Sequence, residues 1–161
     1  MDKTILKITL CLAMSMMLAF AAYGQQSKPI SDLDYIESKM KRLKDYRQDL
    51  MDVAKFHKND LAEYGAVLGV YEAALNVDEY LNSSWSLVYI YSNLSCEIDR
   101  AMVASMAKLQ IGTYVRKIGT EIGAINSNLS ITKTAAIAIA GTRLKDELRE
   151  IKDRLEAIKL N

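Results

Sequence analysis

The run IGTYVRKIGTEIGAINSNL, residues 111–129, carries the clearest pattern in the chain. Its large apolar side chains recur in steps of 4, 3, 4, 3 and 4, at Ile111, Val115, Ile118, Ile122, Ile125 and Leu129. Steps of three and four place side chains on one side of an α-helix, which has about 3.6 residues per turn. The run therefore predicts an amphipathic helix that packs against other helices.

The same spacing recurs near both ends of the region that follows residue 30. A first helix is predicted from Ser31 to about Lys58, with its stripe at Ile36, Met40, Leu43, Arg47, Leu50, Ala54 and His57. A last helix is predicted from about Ser130, and its stripe in the second half is Leu144, Leu148, Ile151, Leu155 and Ile158. Charged residues fill the remaining surface of both helices, as in coiled coils. We predict that eight of these residues form a seam for a partner helix: Met40, Leu43, Leu50, Leu144, Leu148, Ile151, Leu155 and Ile158.

The middle of the chain is more apolar. A helix restarting at Asn59 or Asp60 has a predicted stripe at Leu61, Tyr64, Leu68, Tyr71 and Leu75. Gly65 and Gly69 lie four residues apart on it and indicate close approach of another backbone, a kink or simple tolerance. Residues 80–96 contain no charge, and we predict a central buried helix there that continues to about residue 110. A strand over residues 83–95 is the alternative, because Val, Ile and Tyr favour strands.

These patterns together predict an all-α fold, a bundle of four to five helices with long, coiled-coil-like first and last helices. Asn126-Ser127-Asn128 is the expected turn before the last helix. The first half of that helix, residues 135–140, is small and apolar on every side, which favours deep packing. Residues 31–161 are expected to form one helical domain.

The N-terminus has the three parts of a secretory signal peptide. Lys3 and Lys7 are followed by an uncharged run over residues 8–22, and Ala22-Tyr23-Gly24 supplies small residues before a cleavage point. Residues 1–24 are therefore predicted to be a signal peptide and residues 25–30 a polar lead. An uncleaved membrane anchor is the alternative, although 15 apolar residues fall short of the roughly 20 that a spanning helix needs. We expect an exported protein, either periplasmic or secreted.

The net charge and the cysteine content limit the kinds of partner that the chain is expected to bind. The chain has 21 basic and 20 acidic residues, and residues 1–24 hold two of the former and one of the latter, so the remainder is neutral. A neutral protein has no broad field to attract nucleic acid, and near-zero charge favours self-association. Cys96 is the only cysteine after the predicted signal. We expect it to be buried, with an intermolecular disulfide as the alternative.

The reactive and metal-binding side chains in the sequence predict no catalytic residue, no cofactor and no metal. His57 is the only histidine, and zinc sites built from nitrogen and sulfur ligands need three or four such groups. A Ser-His-Asp or Cys-His site would have to use His57, which lies on the apolar stripe and is expected to pack at the edge of the core. Asp45, Asp49 and Asp52 lie among lysines and arginines and read as a mixed charged surface.

A signal peptide followed by a neutral run of amphipathic helices without catalytic groups resembles, in layout, the periplasmic helical components of conjugative transfer systems. These are the VirB5-like and TrbJ-like minor pilus components and the TraI-like proteins of Bacteroidetes elements. The resemblance implies a non-catalytic interaction protein of an envelope apparatus, with protein partners or self-association through helices. A periplasmic chaperone or adaptor that holds apolar clients is the alternative. An enzyme working with carboxylates alone is a third, weaker hypothesis.

Overall fold

A computed structural model describes residues 31–160, and this part of the chain is all-helical. Its four helices are α1 (Asp32–Phe56), α2 (Leu61–Asn93), α3 (Glu97–Ile131) and α4 (Ala135–Glu156). The predicted signal peptide and the polar lead lie outside the described residues.

Short connections make each helix antiparallel to the next one. The Arg47 guanidinium on α1 lies 2.8 Å from the Asp78 carboxylate on α2. The rings of Tyr80 on α2 and Tyr114 on α3 stack with centroids 5.4 Å apart. Further along the same pair, Asn76 donates to Glu121 over 3.0 Å. Residue numbers that fall along α2 while they rise along α3 are the mark of antiparallel packing.

The first and last helices close the bundle, because they also contact each other in antiparallel fashion. Arg154, near the end of α4, lies 2.8 Å from Asp32 at the start of α1. Lys39 on α1 reaches Glu147 on α4 with an N–O distance of 2.6 Å. The four helices therefore form a closed up-down-up-down bundle.

The stripes predicted for α1 and α4 form a large part of the core. The fully buried residues of these two helices are Ile36, Leu43, Leu50, Ala54, Ile137, Leu144, Leu148, Ile151 and Leu155. Met40 and Ile158 are partly buried and pack against them. The α3 pattern is also largely buried, at Ile111, Val115, Ile118 and Ile125.

The helix count is four because two predicted boundaries do not exist. The chain runs unbroken through residues 110–111 and through the expected turn at 126–128, so α3 extends to Ile131. The real break lies at residues 94–96, inside the stretch that we predicted to be a central helix. The strand alternative for residues 83–95 is also wrong, since α2 covers them up to Asn93.

Three predictions of which side chains are buried are wrong, for α2, for residues 135–140 and for Cys96. The buried side of α2 runs through Ala66, Val67, Val70, Ala73, Ala74, Val77 and Leu81, whereas Leu61 and Leu68 of the predicted stripe are exposed. Helix α2 contacts both α1 and α3. Most of its buried side chains are small, Ala or Val, which lets both helices pack closely against it. Of residues 135–140, three are exposed, two are partly buried and only Ile137 is fully buried. Cys96 is exposed rather than buried, because it lies in the connection between α2 and α3.

The four described helices differ in length, so α1 and α4 do not reach as far as one end of α2 and α3. At 1.5 Å per residue, the 33 and 35 residues of α2 and α3 span about 50 Å, against about 35 Å for α1 and α4. The residues after α4 pack at the level of Lys108 and Ile111 on α3, where Ile158 and Leu160 line the same groove. The first turns of α3 therefore extend beyond the end of α4.

Candidate interaction surface

The predicted seam lies inside the bundle. Leu43, Leu50, Leu144, Leu148, Ile151 and Leu155 are at most 1 % exposed, and Met40 and Ile158 pack against the same core. The α1 and α4 stripes are covered by α2, α3 and each other, and of the predicted seam only Met40 and Ile158 keep part of their surface exposed. A surface that binds a partner has to be sought elsewhere on the chain.

The first half of α3 carries such a surface. Ile98, Met102, Met106 and Leu109 are respectively 80, 61, 62 and 72 % exposed. Their spacing of 4, 4 and 3 residues places all four on one line along the helix. We call these four residues the α3 stripe. Scattered exposed apolar residues are ordinary, but four large ones aligned on one helix form a continuous patch of the kind found at interaction sites.

The α3 stripe points away from the core of the bundle. The buried residues nearest to it are Ala104 and Ala107, which lie on the opposite side of the same helix turns. Alanine at those two positions allows α3 to approach its neighbour closely while the bulky side chains face outward. Near the same end of the bundle, α2 adds two half-exposed apolar residues, Tyr89 and Ile90.

Charged groups lie in the helix turns at the two ends of the α3 stripe. Glu97 and Asp99 lie in the first turn of α3, where carboxylates interact favourably with the helix dipole. Lys108 lies next to Leu109 at the other end. Arg100 points back to the preceding connection, where its guanidinium donates to the Leu94 carbonyl oxygen. The acidic first turn therefore lies near the beginning of the stripe, whereas Lys108 lies on the other side of the helix, in the groove that Ile158 and Leu160 line.

The strongest polar cluster serves the fold instead. The buried Lys39 ammonium donates to Glu147 over 2.6 Å and to Glu150 over 2.9 Å, and Arg42 reaches the second oxygen of Glu147. Burial alone would lower the pKa of Lys39, but the hydrogen bonds to the two glutamates raise it above its ordinary value. Each charge in the cluster is paired, so it holds α1 against α4 in one register.

A second polar contact ties the α3–α4 connection to α2. The Glu63 carboxylate accepts from the Thr132 hydroxyl and from the Lys133 backbone N–H. These two hydrogen bonds, the Thr132 bond first, lower the pKa of Glu63 below its ordinary value. Asp60 caps the same end of α2 by accepting from the backbone N–H groups of Ala62 and Glu63.

The remaining chemical expectations concern metals, catalysis and membranes. Among residues 31–160, no three His, Cys, Asp or Glu side chains come together as a metal would require. His57 lies just beyond the end of α1 and is partly exposed, with its backbone N–H bonded to Ala54. Within the described helices, none is long and apolar enough to cross a membrane.

Comparisons with protein-family models, curated proteins and solved structures find no match to this chain. The geometry of the surface is therefore what supports a functional assignment.

Sequence reasoning missed the α3 stripe for an identifiable reason. Ile98 and Met102 continue the steps of four and three from Leu87, Tyr91 and Leu94, so they look like part of a buried face. Periodicity shows that apolar residues share a side of a helix but does not show whether another helix covers that side. The overlooked signal was the polar Ser95-Cys96 break followed by two acids, which begins a new helix at Glu97.

Proposed function

We propose that this chain is an exported, non-catalytic interaction protein that binds protein partners through the α3 stripe. The observation that carries the proposal is the alignment of Ile98, Met102, Met106 and Leu109 on the exposed side of α3. An amphipathic helix laid along such a stripe would bury its apolar face there, which is a recurring mode of protein recognition. We place the protein in a periplasmic or secreted envelope assembly, such as a conjugation or secretion apparatus.

The experiment that tests this proposal places a photo-cross-linking amino acid at Leu109 in a tagged chain in its native host. Leu61 supplies the matched control, because it is 84 % exposed on α2 at the opposite end of the bundle. Mass spectrometry of the adducts is expected to identify the same few envelope proteins from position 109 and none of them from position 61. Equal, low cross-linking from both positions would overturn the proposal.

A chaperone that holds apolar clients is the second candidate, and one observation favours it. Two of the four stripe residues are Met102 and Met106, and flexible methionine side chains suit surfaces that bind varied apolar partners. In the cross-linking experiment, many unrelated exported proteins at position 109 would support this candidate. Suppression of aggregation of an unfolded client, lost in the variant M102E/M106E, would provide the independent measurement.

Export is a separate part of the proposal and has its own test. We expect the chain recovered from the host envelope to begin at Gln25, because Ala22 and Gly24 occupy the positions that signal peptidase reads. Intact mass and N-terminal sequencing measure this directly. The substitution Ala22→Arg should retain the precursor, whereas Ser27→Arg, beyond the cleavage point, should leave processing unchanged. Recovery of the unprocessed chain from the cytosol would contradict export.

A further inference from the structure

We infer that the groove between α3 and the end of α4 binds a carboxylate that carries a single apolar chain, as in a medium-chain fatty acid. The groove includes none of the four residues of the α3 stripe, so the inference goes beyond the proposed function. Three features support it: an apolar lining, a guanidinium held at the entrance, and the net charge of the residues around the groove.

The apolar lining of the groove suits a short alkyl chain. Ile111 and Val115 of α3 lie on one side, and Leu155, Ile158 and Leu160 lie on the other. The cavity measures about 370 Å³, near the lower end of the roughly 300–1,000 Å³ that is typical of small-molecule sites. A helix with its side chains is about 10–12 Å across, which is too wide for this space. The groove therefore fits a small apolar ligand and not a partner helix.

Gly112 leaves an entrance to the groove. It lies one turn from Lys108 and one turn from Arg116, and all three residues line the groove. A Cβ added at Gly112 would meet no atom within 4 Å. Glycine weakens a helix relative to alanine, and here its missing side chain leaves open space between two basic residues.

The Arg116 guanidinium is held at this entrance. Side chains of a helix lean towards its N-terminus, so Arg116 leans over the turn that contains Gly112. Its Nη2 donates to the Thr113 hydroxyl oxygen over 3.2 Å, and that hydroxyl donates to the Leu109 carbonyl oxygen over 3.0 Å. Among residues 31–160, no acidic side chain forms an ion pair with Arg116 or Lys108. A guanidinium binds a carboxylate through two parallel hydrogen bonds, so Arg116 is the expected partner of the ligand head group.

The charge around the groove favours an anion with a single charge. Arg116 and Lys108 are positive, and Glu156 is the acidic residue of the lining, 3.8 Å from Lys152. The three charged lining residues therefore sum to +1, which one carboxylate neutralises. A phosphate monoester carries roughly −1.5 to −2 at neutral pH and would leave excess negative charge beside Glu156. Lys108 lies about 12 Å from Arg116 along the helix, so it attracts the anion without sharing its contact with Arg116.

Isothermal titration calorimetry of the purified chain, as recovered from its host, tests the site with decanoate. We expect one molecule per chain with a dissociation constant on the order of 100 µM, as suits a ligand of about a dozen non-hydrogen atoms. Octanoate should bind about two- to fourfold more weakly for each methylene removed. Acetate and 1-octanol should both bind at least fivefold more weakly than octanoate. The absence of saturable decanoate binding, or equal binding of octanoate and 1-octanol, would overturn the inference.

Gly112→Leu tests whether the ligand occupies the groove. Leucine favours a helix over glycine, so the melting temperature should be retained or raised while decanoate binding weakens at least tenfold. Gly123→Leu is the matched control, because Gly123 is also an exposed glycine of α3 with no atom within 4 Å of an added Cβ, and it lies outside the groove. Decanoate binding that survives Gly112→Leu, or that both variants weaken equally, would overturn the groove as the site.

Arg116→Gln tests the assignment of the head group. It should weaken octanoate binding at least fivefold and leave 1-octanol binding unchanged, because only the carboxylate contacts the guanidinium. Lys108→Gln should weaken octanoate binding about twofold, as expected for a charge that acts at a distance. A loss in Arg116→Gln that is equal for octanoate and 1-octanol would contradict the role of Arg116.

M102Q/M106Q separates this inference from the proposed function. The two substitutions shorten the apolar part of the α3 stripe without adding charge, and both positions lie outside the groove. We expect decanoate binding to remain unchanged while partner cross-links at position 109 decrease. Decanoate binding that is lost in M102Q/M106Q and retained in Gly112→Leu would overturn the groove as the site, whatever the cross-links show.

Discussion

The buried charge at Lys39 is a residue-scale feature with a measurable expected effect on stability. The substitution Lys39→Met removes the ammonium that pairs with Glu147 and leaves that buried carboxylate with Arg42 alone. Breaking one side of a buried pair leaves the other side incompletely compensated. We expect a loss of about 2 kcal/mol in the free energy of unfolding, measured by urea denaturation.

Lys55→Met is the matched control for that prediction. Lys55 also lies 2.6 Å from a carboxylate, that of Asp52, but both side chains are more than half exposed. Exposed pairs contribute little because water screens them. We expect a loss of under about 0.5 kcal/mol, and equal losses in the two variants would show that burial of the Lys39 pair has no energetic consequence.

Two glycines on α2 provide a second prediction at this scale. A Cβ added to Gly65 would meet open space, whereas one added to Gly69 would overlap the side-chain amide of Asn128 on α3. Gly65→Ala should therefore stabilise the protein by about 1 kcal/mol, because alanine favours the helix. Gly69→Ala should be destabilising, since Asn128 would have to give up its 3.0 Å bond to the Ala124 carbonyl. Thermal melting of the two variants distinguishes the sites, and stabilisation by both would contradict the close approach at Gly69.

The same glycines show what sequence can and cannot provide at the residue scale. Their spacing left open close approach of another backbone, a kink or simple tolerance. The structure places a side chain against Gly69 and nothing within 4 Å of a Cβ at Gly65. Helical spacing identifies the shared face, but the neighbour depends on packing between residues 59 positions apart in the chain. The same limit explains why Lys39 and Glu147 could not be paired from sequence.

At the scale of elements, Glu63 links the start of α2 to the α3–α4 connection. Its pKa is lowered in the folded chain, so its contribution to stability is present above the unfolded-state pKa, near 4.3, and is lost as the pH falls through the folded value. We expect acid to weaken wild type more than Glu63→Gln, so the difference in unfolding midpoint between them should shrink from pH 7 towards pH 3. Glu72→Gln, on the same helix, serves as the control. An unchanged difference across that range would contradict the contribution of the Glu63 charge.

A helix boundary was predictable where a polar capping residue marks it, and was not predictable where the sequence around it is apolar. A helix was expected to restart at Asn59 or Asp60, and Asp60 is the N-cap of α2. The apolar periodicity of the last helix was also correct from Leu144 onward, because charged residues fill its other faces. Residues 80–110 show no comparable separation of charged and apolar faces. The sequence therefore predicted one continuous helix where the structure has a connection at residues 94–96.

On the scale of the whole molecule, the bundle has a well-covered section and an extension. In the covered section all four helices contribute buried side chains, such as Leu43, Val70, Ile118 and Leu148. In the extension, α3 has no buried residue before Ala104, and α2 has none after Val88. Regions with few buried apolar contacts open more readily than the rest of a fold. The α3 stripe therefore lies on the part of the molecule best able to adjust to a partner.

This asymmetry predicts how hydrogen exchange should vary along α3. In dilute solution, we expect backbone amides of residues 101–107 to exchange at least tenfold faster than those of residues 115–125, because opening the extension disrupts fewer buried contacts. Residues 144–151 of α4 serve as the internal reference. Uniform protection along α3 would contradict the extension as a separately opening unit.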